Sequence, residues 1–281
     1  MIKETEEFYL KHKDKSWELP KFPETMDETN PDVVVEWILK EMKAGTIGWL
    51  EINLMNVKGG SFVPIAWHHM GQIETEILTH RNLYTQYKKP SHINAYGCTL
   101  FGQDDDRTDL SESADEKGDW VKEVVETVPN IFHYWDGDFP ISNYKKIRFV
   151  KLDPNGSVGV HSDNINKDKD KILSPIKDIF PILMSLKEPG KKCHTVVEDF
   201  GIVPVKEGRC YLVNPYRKHV MVNTSETEPC VHMNIQGIPG QRFGELINCI
   251  TRSFFELEGR LGKDYLKFQR DGVRKPGPMD Y

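Results

Sequence analysis

The chain of 281 residues lacks the features that define several protein classes. No segment approaches the roughly 20 consecutive apolar residues that a membrane-spanning helix needs. The first segment, Met1–Glu7, is acidic and has no apolar stretch, so it does not resemble a signal peptide. We therefore expect no membrane association and a cytoplasmic location.

Cysteine and clustered positive charge are also scarce. The five cysteines are widely spaced and include no CxxC pair, so the sequence predicts neither a zinc ribbon nor a disulfide framework, and we expect reduced thiols. The net charge is −6, and in the one lysine-rich stretch, Lys167–Lys171, lysine alternates with aspartate. Nucleic acid is not an expected partner, because binding phosphates requires clustered lysine and arginine.

The composition is that of a soluble globular protein, and the length suits a single domain over residues 1–281. We predict a mixed, partly helical part over 1–135. Asn30 and Pro31 suit the start of a helix, and Gly45 suits its end. The other elements predicted here are strands over 48–54 and 93–102, helices over 71–88 and 120–128, and an exposed acidic loop over 103–118.

Residues 140–237 have a different pattern. Short β-type runs alternate with turns containing Gly, Pro and Asn, which is typical of a sandwich or barrel. The predicted strands are 146–152, 157–161, 180–186, 194–200, 209–213, 219–223 and 231–236, and the first turn is Asp153–Gly156. Residues 241–268 form a predicted C-terminal helix whose apolar face packs on the barrel. The predicted fold class is therefore mainly β with flanking helices (α+β).

One short motif in this region indicates chemistry. His161 and Asp163 follow the run Ser157–Val160 and are two residues apart, so in a strand their side chains share one side. His219 follows the turn Asn214–Lys218 and opens a later run. Two histidines and one carboxylate on one face leave the opposite positions of a metal open, which suits non-haem iron(II) chemistry with oxygen. The alternative interpretation is a polar turn after a strand.

Two segments resemble a known family. The stretch Ile147–Asn164, which contains Asp153-Pro154-Asn155-Gly156 and the HxD motif, is similar to the metal-binding strand pair of the aspartyl/asparaginyl β-hydroxylase family. The stretch Val205–Ser225, with His219-Val220-Met221-Val222-Asn223, is similar to that family's second-histidine segment. Together with the intervening strands they cover about a third of the chain, roughly residues 140–237.

The resemblance implies an iron(II)- and 2-oxoglutarate-dependent oxygenase. It implies a double-stranded β-helix barrel, similar to a jelly roll or cupin, over 140–237, with iron(II) held by His161, Asp163 and His219. It also implies that 2-oxoglutarate is a cosubstrate, converted to succinate and carbon dioxide while an amino-acid or peptidyl substrate is hydroxylated. The expected partner is thus a small molecule or a peptide.

The chain departs from this family where an arginine usually anchors the far carboxylate of 2-oxoglutarate. Cys230 occupies that position, and a cysteine cannot provide a fixed positive fork. His232 and Arg148 are the first candidates to replace it, followed by Arg242 and Lys177. His194 is a less favoured alternative to His219 as a metal ligand, and the more favoured interpretation is a polar residue at a strand start.

Two other functions stay open. The missing arginine is compatible with a cupin-like metal oxygenase or isomerase that does not use 2-oxoglutarate. A non-catalytic barrel that binds a ligand is the third possibility, although a degenerate site is expected to lose one of its metal ligands.

Overall fold

The computed structural model describes residues 1–53, 81–102, 119–129, 141, 143–162, 180–187, 190–206, 209–238 and 246–259. The predicted loop over 103–118, the stretch Lys167–Lys171 and residues 71–80 of one predicted helix lie outside these ranges. In the rest of that predicted helix, residues 81–88, the structure has a short 3₁₀ turn and strand β2 instead. Among the described helices, none is long and apolar enough to cross a membrane.

The described helices are α1 (Lys3–His12), α2 (Pro31–Ala44), α3 (Lys122–Thr127) and α4 (Leu246–Glu258). The described strands are β1 (Trp49–Ile52), β2 (Thr85–Gln86), β3 (Ile93–Gly102), β4 (Asp119–Trp120), β5 (Asn143–His161), β6 (Phe180–Lys187), β7 (Cys193–Val197), β8 (Gly201–Val203), β9 (Cys210–Val213), β10 (His219–Asn223) and β11 (Cys230–Ile238).

These strands form one antiparallel sheet that curls into a nearly closed barrel. The strand order is β1-β9-β6-β11-β5-β10-β7-β8, and β3 pairs with the free side of β5. The long strand β5 pairs with β11 through its first part and with β10 through its second part. The order therefore divides into two four-stranded halves, β9-β6-β11-β5 and β5-β10-β7-β8. This is the double-stranded β-helix, and the predicted fold class is confirmed.

The predicted turn Asp153–Gly156 lies inside β5 and does not separate two strands. Asn155 adopts a left-handed conformation with φ 58°. A Cβ atom on Gly156 would lie 2.7 Å from the backbone oxygens of Asn94 and Asp153, so only glycine fits there. The Asn-Gly pair bends the strand without ending it, which allows one strand to contribute to both halves of the barrel.

Side chains alternate between the barrel interior and its outer surface. On β11, Met233 and Ile235 point outward and join the largest apolar cluster, which also contains residues of α2 and α4. Cys230, His232 and Asn234, each one residue out of phase with them, point inward. The barrel interior is therefore the place where these side chains could bind a metal or a small molecule.

Helices cover both outer surfaces. Helix α2 begins as predicted, since the Asn30 side chain accepts a hydrogen bond from the backbone N–H of Asp32, and it ends at Gly45 with φ 85°. Helices α2 and α4 contact each other and cover the half that contains β11. Helix α1, which was not predicted from the sequence, covers the other half, where Phe8 and Tyr9 pack against the outer face of β7 and β10.

The expectation of five reduced cysteines was wrong for one pair. Cys193 on β7 and Cys230 on β11 form a disulfide, with 6.3 Å between their Cα atoms. Cys98, Cys210 and Cys249 are buried free thiols. The two bonded residues are 37 positions apart, and only the barrel brings their strands together.

A buried asparagine fixes the turn that leads into β10. The Asn214 amide donates hydrogen bonds to the backbone oxygens of Met42 (2.6 Å) and Ile47 (2.7 Å), at the end of α2 and beyond it. Its side-chain oxygen accepts one from the Tyr216 backbone N–H (2.9 Å). The loop before His219 is therefore tied to the helical layer.

Replacing Asn214 by alanine should lower the free energy of unfolding by about 2–4 kcal/mol, because buried backbone groups lose their partners. The matched control is Asn30→Ala at the exposed start of α2, the helix whose last turn Asn214 contacts. That variant should lower the free energy of unfolding by about 1 kcal/mol. Urea denaturation of both variants measures the difference. Equal losses would contradict this assignment.

Candidate functional site

Two histidines face each other at one end of the barrel. His161 is the last residue of β5 and His219 the first of β10, and they are direct partners in the antiparallel ladder. Their ring centroids are 4.3 Å apart, with the ring planes inclined by 58°. His219 is buried and His161 is half-buried. The structure thus brings together two of the three predicted metal ligands.

A β-bulge turns His161 toward the interior. His219 and Met221, two residues apart on β10, pair with His161 and Val158, which are three apart on β5. Val158 belongs to an interior cluster, whereas Val160 packs on the outer surface. Without the extra residue, strict alternation from Val158 would place His161 outside.

The bulge depends on Gly159. A Cβ atom at this position would lie 2.6 Å from the Cβ of Ser91 and 2.7 Å from its backbone oxygen. No side chain fits without moving the segment before β3. The glycine therefore allows the close approach that keeps His161 in place.

Hydrogen bonds orient both imidazoles. The Nδ1 atom of His161 lies 2.8 Å from the backbone oxygen of Gly159, and Nδ1 of His219 lies 3.3 Å from that of Arg217. A carbonyl oxygen only accepts, so Nδ1 carries the hydrogen in each pair. In the neutral ring the lone pair then lies on Nε2, and this is the tautomer that a metal ligand of this kind adopts.

The third predicted ligand, Asp163, lies outside the described residues. In the sequence it is two positions after His161, the last residue of β5. Its place in a metal site stays a prediction.

The two histidines line a cavity that opens to solvent. Its volume is about 40 Å³, which is room for a few water molecules. Apolar and polar groups both line it, the main ones being Leu183, Val213, Met221, Thr195, Asn234 and Gln236. Such a lining can exclude much of the water while still offering hydrogen bonds to a bound molecule.

Arg148 is a buried cation in the barrel. Its exposure is 1%, and its Nε donates a hydrogen bond to Oγ1 of Thr99 (3.2 Å) on β3. On its other side it pairs with Asn234, which lines the cavity. Burial raises the pKa of the neighbouring Tyr87 phenol, and the positive charge of Arg148 partly opposes that shift.

The other predicted cosubstrate residues have different surroundings. His232 is fully buried in the interior and pairs with Val150 on β5 and Ser185 on β6. One of its ring nitrogens lies within 4.8 Å of the sulfur atoms of Cys193 and Cys230. Arg242 and Lys177 lie outside the described residues.

His194 lies on the outer surface. Its Nδ1 is 2.7 Å from the Tyr9 hydroxyl of α1, and its Nε2 is 2.9 Å from the backbone oxygen of Lys191. It pairs with Val222, whose side chain is in the outer cluster. This position agrees with the interpretation of His194 as a polar residue at a strand start.

Sequence reasoning missed His92, which the structure places beside the histidine pair. It is buried, its ring centroid is 6.5 Å from that of His161, and its Nδ1 is 3.0 Å from the Ser91 hydroxyl. No short motif joins His92 to His161. Only the pairing of β3 with β5 brings them together.

No protein-family model and no curated protein sequence matches the chain. Similar solved structures include an oxidoreductase of the 2OG-Fe(II) oxygenase family from Burkholderia pseudomallei, with 12% identity, 71% of this chain and 90% of that chain covered, and a TM-score of 0.44. Another is a Pseudomonas putida prolyl-4-hydroxylase, with 9% identity, 73% and 100% covered, and a TM-score of 0.38.

A third is a Trichoplax adhaerens prolyl hydroxylase in complex with a hypoxia-inducible-factor peptide fragment, with 11% identity, 73% and 90% covered, and a TM-score of 0.39. Similarity at this level is too low to assign a function. The chemistry has to be argued from the residues of the site.

Removing either facing histidine should weaken iron(II) binding. We expect His161→Ala and His219→Ala to lower the affinity by more than about 100-fold, since even a lost outer-shell partner costs about 10- to 100-fold. His194→Ala, on the outer surface, is the matched control and should bind iron(II) normally. Anaerobic titration calorimetry measures all three, and a normal affinity of the His219 variant would contradict the assignment.

Gly159→Ala should lower the iron(II) affinity by about tenfold, because the new Cβ displaces the bulge whose carbonyl orients His161. Gly190→Ala is the control, since a Cβ there meets no atom within 4 Å although the residue has φ 58°. That variant should lose some stability and keep its iron affinity. The same titration distinguishes them, and equal iron affinities would show that the bulge does not position His161.

Proposed function

We propose that the protein is an iron(II)- and 2-oxoglutarate-dependent dioxygenase. Its reaction would hydroxylate an amino-acid or peptidyl substrate, with succinate and carbon dioxide as coproducts. The observation that carries the proposal is the facing pair His161 and His219 at the edge of a cavity inside a double-stranded β-helix. The sequence adds Asp163 two residues after the first histidine.

The donor set fits the ion. Two neutral imidazoles and one carboxylate would hold iron(II) from one side and leave the opposite positions open, which is the arrangement of non-haem iron oxygenases. The Nδ1 hydrogen bonds of His161 and His219 direct Nε2 as the ligand atom. When bound, iron(II) supplies the coupling of oxygen reduction to decarboxylation of 2-oxoglutarate and hydroxylation of a C–H bond.

The remaining task of the protein is to bind and orient the reacting molecules. Leu183, Val213 and Met221 belong to the apolar lining of the cavity, which limits the access of water. Asn234 and Gln236 offer amide groups that can orient a polar substrate. This mixture suits an amino-acid or peptide group better than a purely apolar molecule.

Arg148 is the proposed anchor for the far carboxylate of 2-oxoglutarate. A guanidinium is charged at every physiological pH and offers a planar fork that matches a carboxylate. The hydrogen bond to Thr99 orients the Arg148 guanidinium. Asn234, the β11 partner of Arg148, lines the cavity. His232 is the other described candidate, but it lies beside Cys193 and Cys230, and an imidazole offers no planar fork to a carboxylate. Arg242 remains an alternative from the sequence.

Cys230 favours a second candidate function. It occupies the position of the usual anchoring arginine, and its sulfur is bonded to Cys193, so it provides no positive charge to a carboxylate. A cupin-like metal oxygenase or isomerase would use the same histidines without 2-oxoglutarate. The cosubstrate requirement distinguishes the two functions.

The direct test supplies the purified protein with iron(II), ascorbate, oxygen and 2-oxoglutarate. Succinate should be released, slowly without the substrate, and only when iron(II) and 2-oxoglutarate are both present. His219→Ala should release none, and His194→Ala should match the unaltered protein. Iron binding with neither succinate release nor binding of 2-oxoglutarate would overturn the proposal and favour the cupin-like function.

Arg148→Met should raise the KM for 2-oxoglutarate by about 10- to 100-fold, because a hydrogen bond to a charged group is worth about 1.5–3 kcal/mol. Arg148→Lys should have a smaller effect, since it keeps the charge and loses the fork. Lys151→Met is the control on the same strand, because the Lys151 ammonium lies over the rings of Tyr84 and Tyr96 and not in the cavity. An unchanged KM in a folded Arg148→Met variant would exclude Arg148 as the anchor.

A further inference from the structure

Three groups that bind soft metals meet in the barrel interior, apart from the histidine pair. Cys193 belongs to β7, and Cys230 and His232 belong to β11, so the two halves of the barrel both contribute. All three side chains are buried, with exposures of 2%, 0% and 0%. Their possible ligand atoms, two sulfurs and an imidazole nitrogen, all lie within 4.8 Å of one another.

The strand geometry explains why they converge. Cys230 and His232 are two residues apart on β11, so their side chains share the interior face. Cys193 begins β7 and pairs with Asn223, the last residue of β10. The curl of the sheet brings this end of β7 against the start of β11, with 6.3 Å between the Cα atoms of the two cysteines.

Other contacts hold the backbone next to each cysteine. The Thr224 backbone N–H and its hydroxyl both donate to the backbone oxygen of Lys192, next to Cys193, at 2.7 and 2.9 Å. The Asn223 amide donates to the backbone oxygens of Glu228 (2.8 Å) and Leu152 (3.1 Å). Breaking the disulfide therefore leaves the two sulfur atoms close together.

We propose that, once the disulfide is reduced, Cys193, Cys230 and His232 form a second metal site, which takes a soft cation such as zinc(II). Thiolates and imidazole prefer zinc(II) or copper(I) to the hard ions that carboxylates select. The surrounding cluster is apolar, including Val150, Leu152 and Met221. Two thiolates cancel the charge of a divalent ion, so the complex is neutral in these surroundings.

The site is gated by oxidation. A phosphine reductant takes an oxygen atom from water and gives two electrons to the disulfide, and the two water hydrogens end on the sulfurs as thiols. Binding of zinc(II) then releases both thiol protons. In the disulfide form neither sulfur is a thiolate, so the site takes no metal.

This site is separate from the proposed iron site. Cys193 pairs with Asn223, four residues after His219 on β10, which is about 13 Å along a strand. Met221 and Val158 lie between the two ends in the interior. No metal ligand is shared between the two sites, and the inference does not depend on the proposed function.

Cobalt(II) is the probe, because its thiolate complexes have a strong sulfur-to-metal charge-transfer absorption. His161→Ala protein, which lacks the first site, is reduced with a phosphine and freed of metal before titration. We expect one equivalent of cobalt(II) to bind with this absorption, and zinc(II) to displace it. Oxidation of the same sample to the disulfide should abolish binding, and renewed reduction should restore it.

Variants in the same background assign the ligands. Cys193→Ser, Cys230→Ser and His232→Phe should each lose the absorption or lower the cobalt(II) affinity by at least tenfold. The Cys210→Ser variant, which changes a buried cysteine of the largest apolar cluster, should bind as before. Binding that survives Cys230→Ser, or that is equally strong in the oxidised and reduced protein, would overturn the proposal, as would no binding by the reduced protein.

Discussion

In the ladder between β5 and β10, His219 lies opposite His161. The arrangement of side chains around the cavity that these histidines line depends on that register. Shifting an antiparallel pair by one residue moves every side chain to the other face of the sheet. The bulge around Gly159 applies such a shift within β5, since it leaves Val158 inside and brings His161 inside as well. The facing position of the two histidines at this end is thus a consequence of one extra residue in one strand.

Interior side chains then change in character along β10. His219 lines the cavity at one end, Met221 belongs to an apolar cluster, and Asn223 at the other end of the strand donates to neighbouring backbone oxygens. His161 and His219 thus lie at one end, and Cys193, Cys230 and His232 lie beside the other. Under the two proposals above, this separation would let one barrel hold an iron site and a thiolate site without competition for ligands.

Much of the barrel could be predicted from the sequence, because short β-type runs with turn residues between them indicate strands even without a known partner. The predicted runs correspond to β5, β6, β7, β9, β10 and β11, and the helix beginning at Pro31 has its expected caps. The short strand β8 and helix α1 were missed. The turn at Asp153–Gly156 was wrongly predicted to separate two strands, because a bend and a chain reversal use the same residues.

Contacts between distant strands were the part that local patterns could not provide. The HxD spacing indicated His161, but the nearness of His92 depends on the pairing of β3 with β5. The Cys193–Cys230 bond likewise depends on the curl of the sheet, which no cysteine spacing encodes. Arg148 was named from the sequence, although its burial became evident only when three strands were placed around it.

The most direct test of the central claim is a crystal structure of the protein grown without oxygen in the presence of iron(II) and 2-oxoglutarate, with anomalous scattering recorded at the iron edge. The account predicts one iron peak bonded to Nε2 of His161, Nε2 of His219 and the carboxylate of Asp163, with 2-oxoglutarate reaching toward Arg148. A fully loaded crystal whose iron lies elsewhere, or whose two histidines bind none, would contradict it.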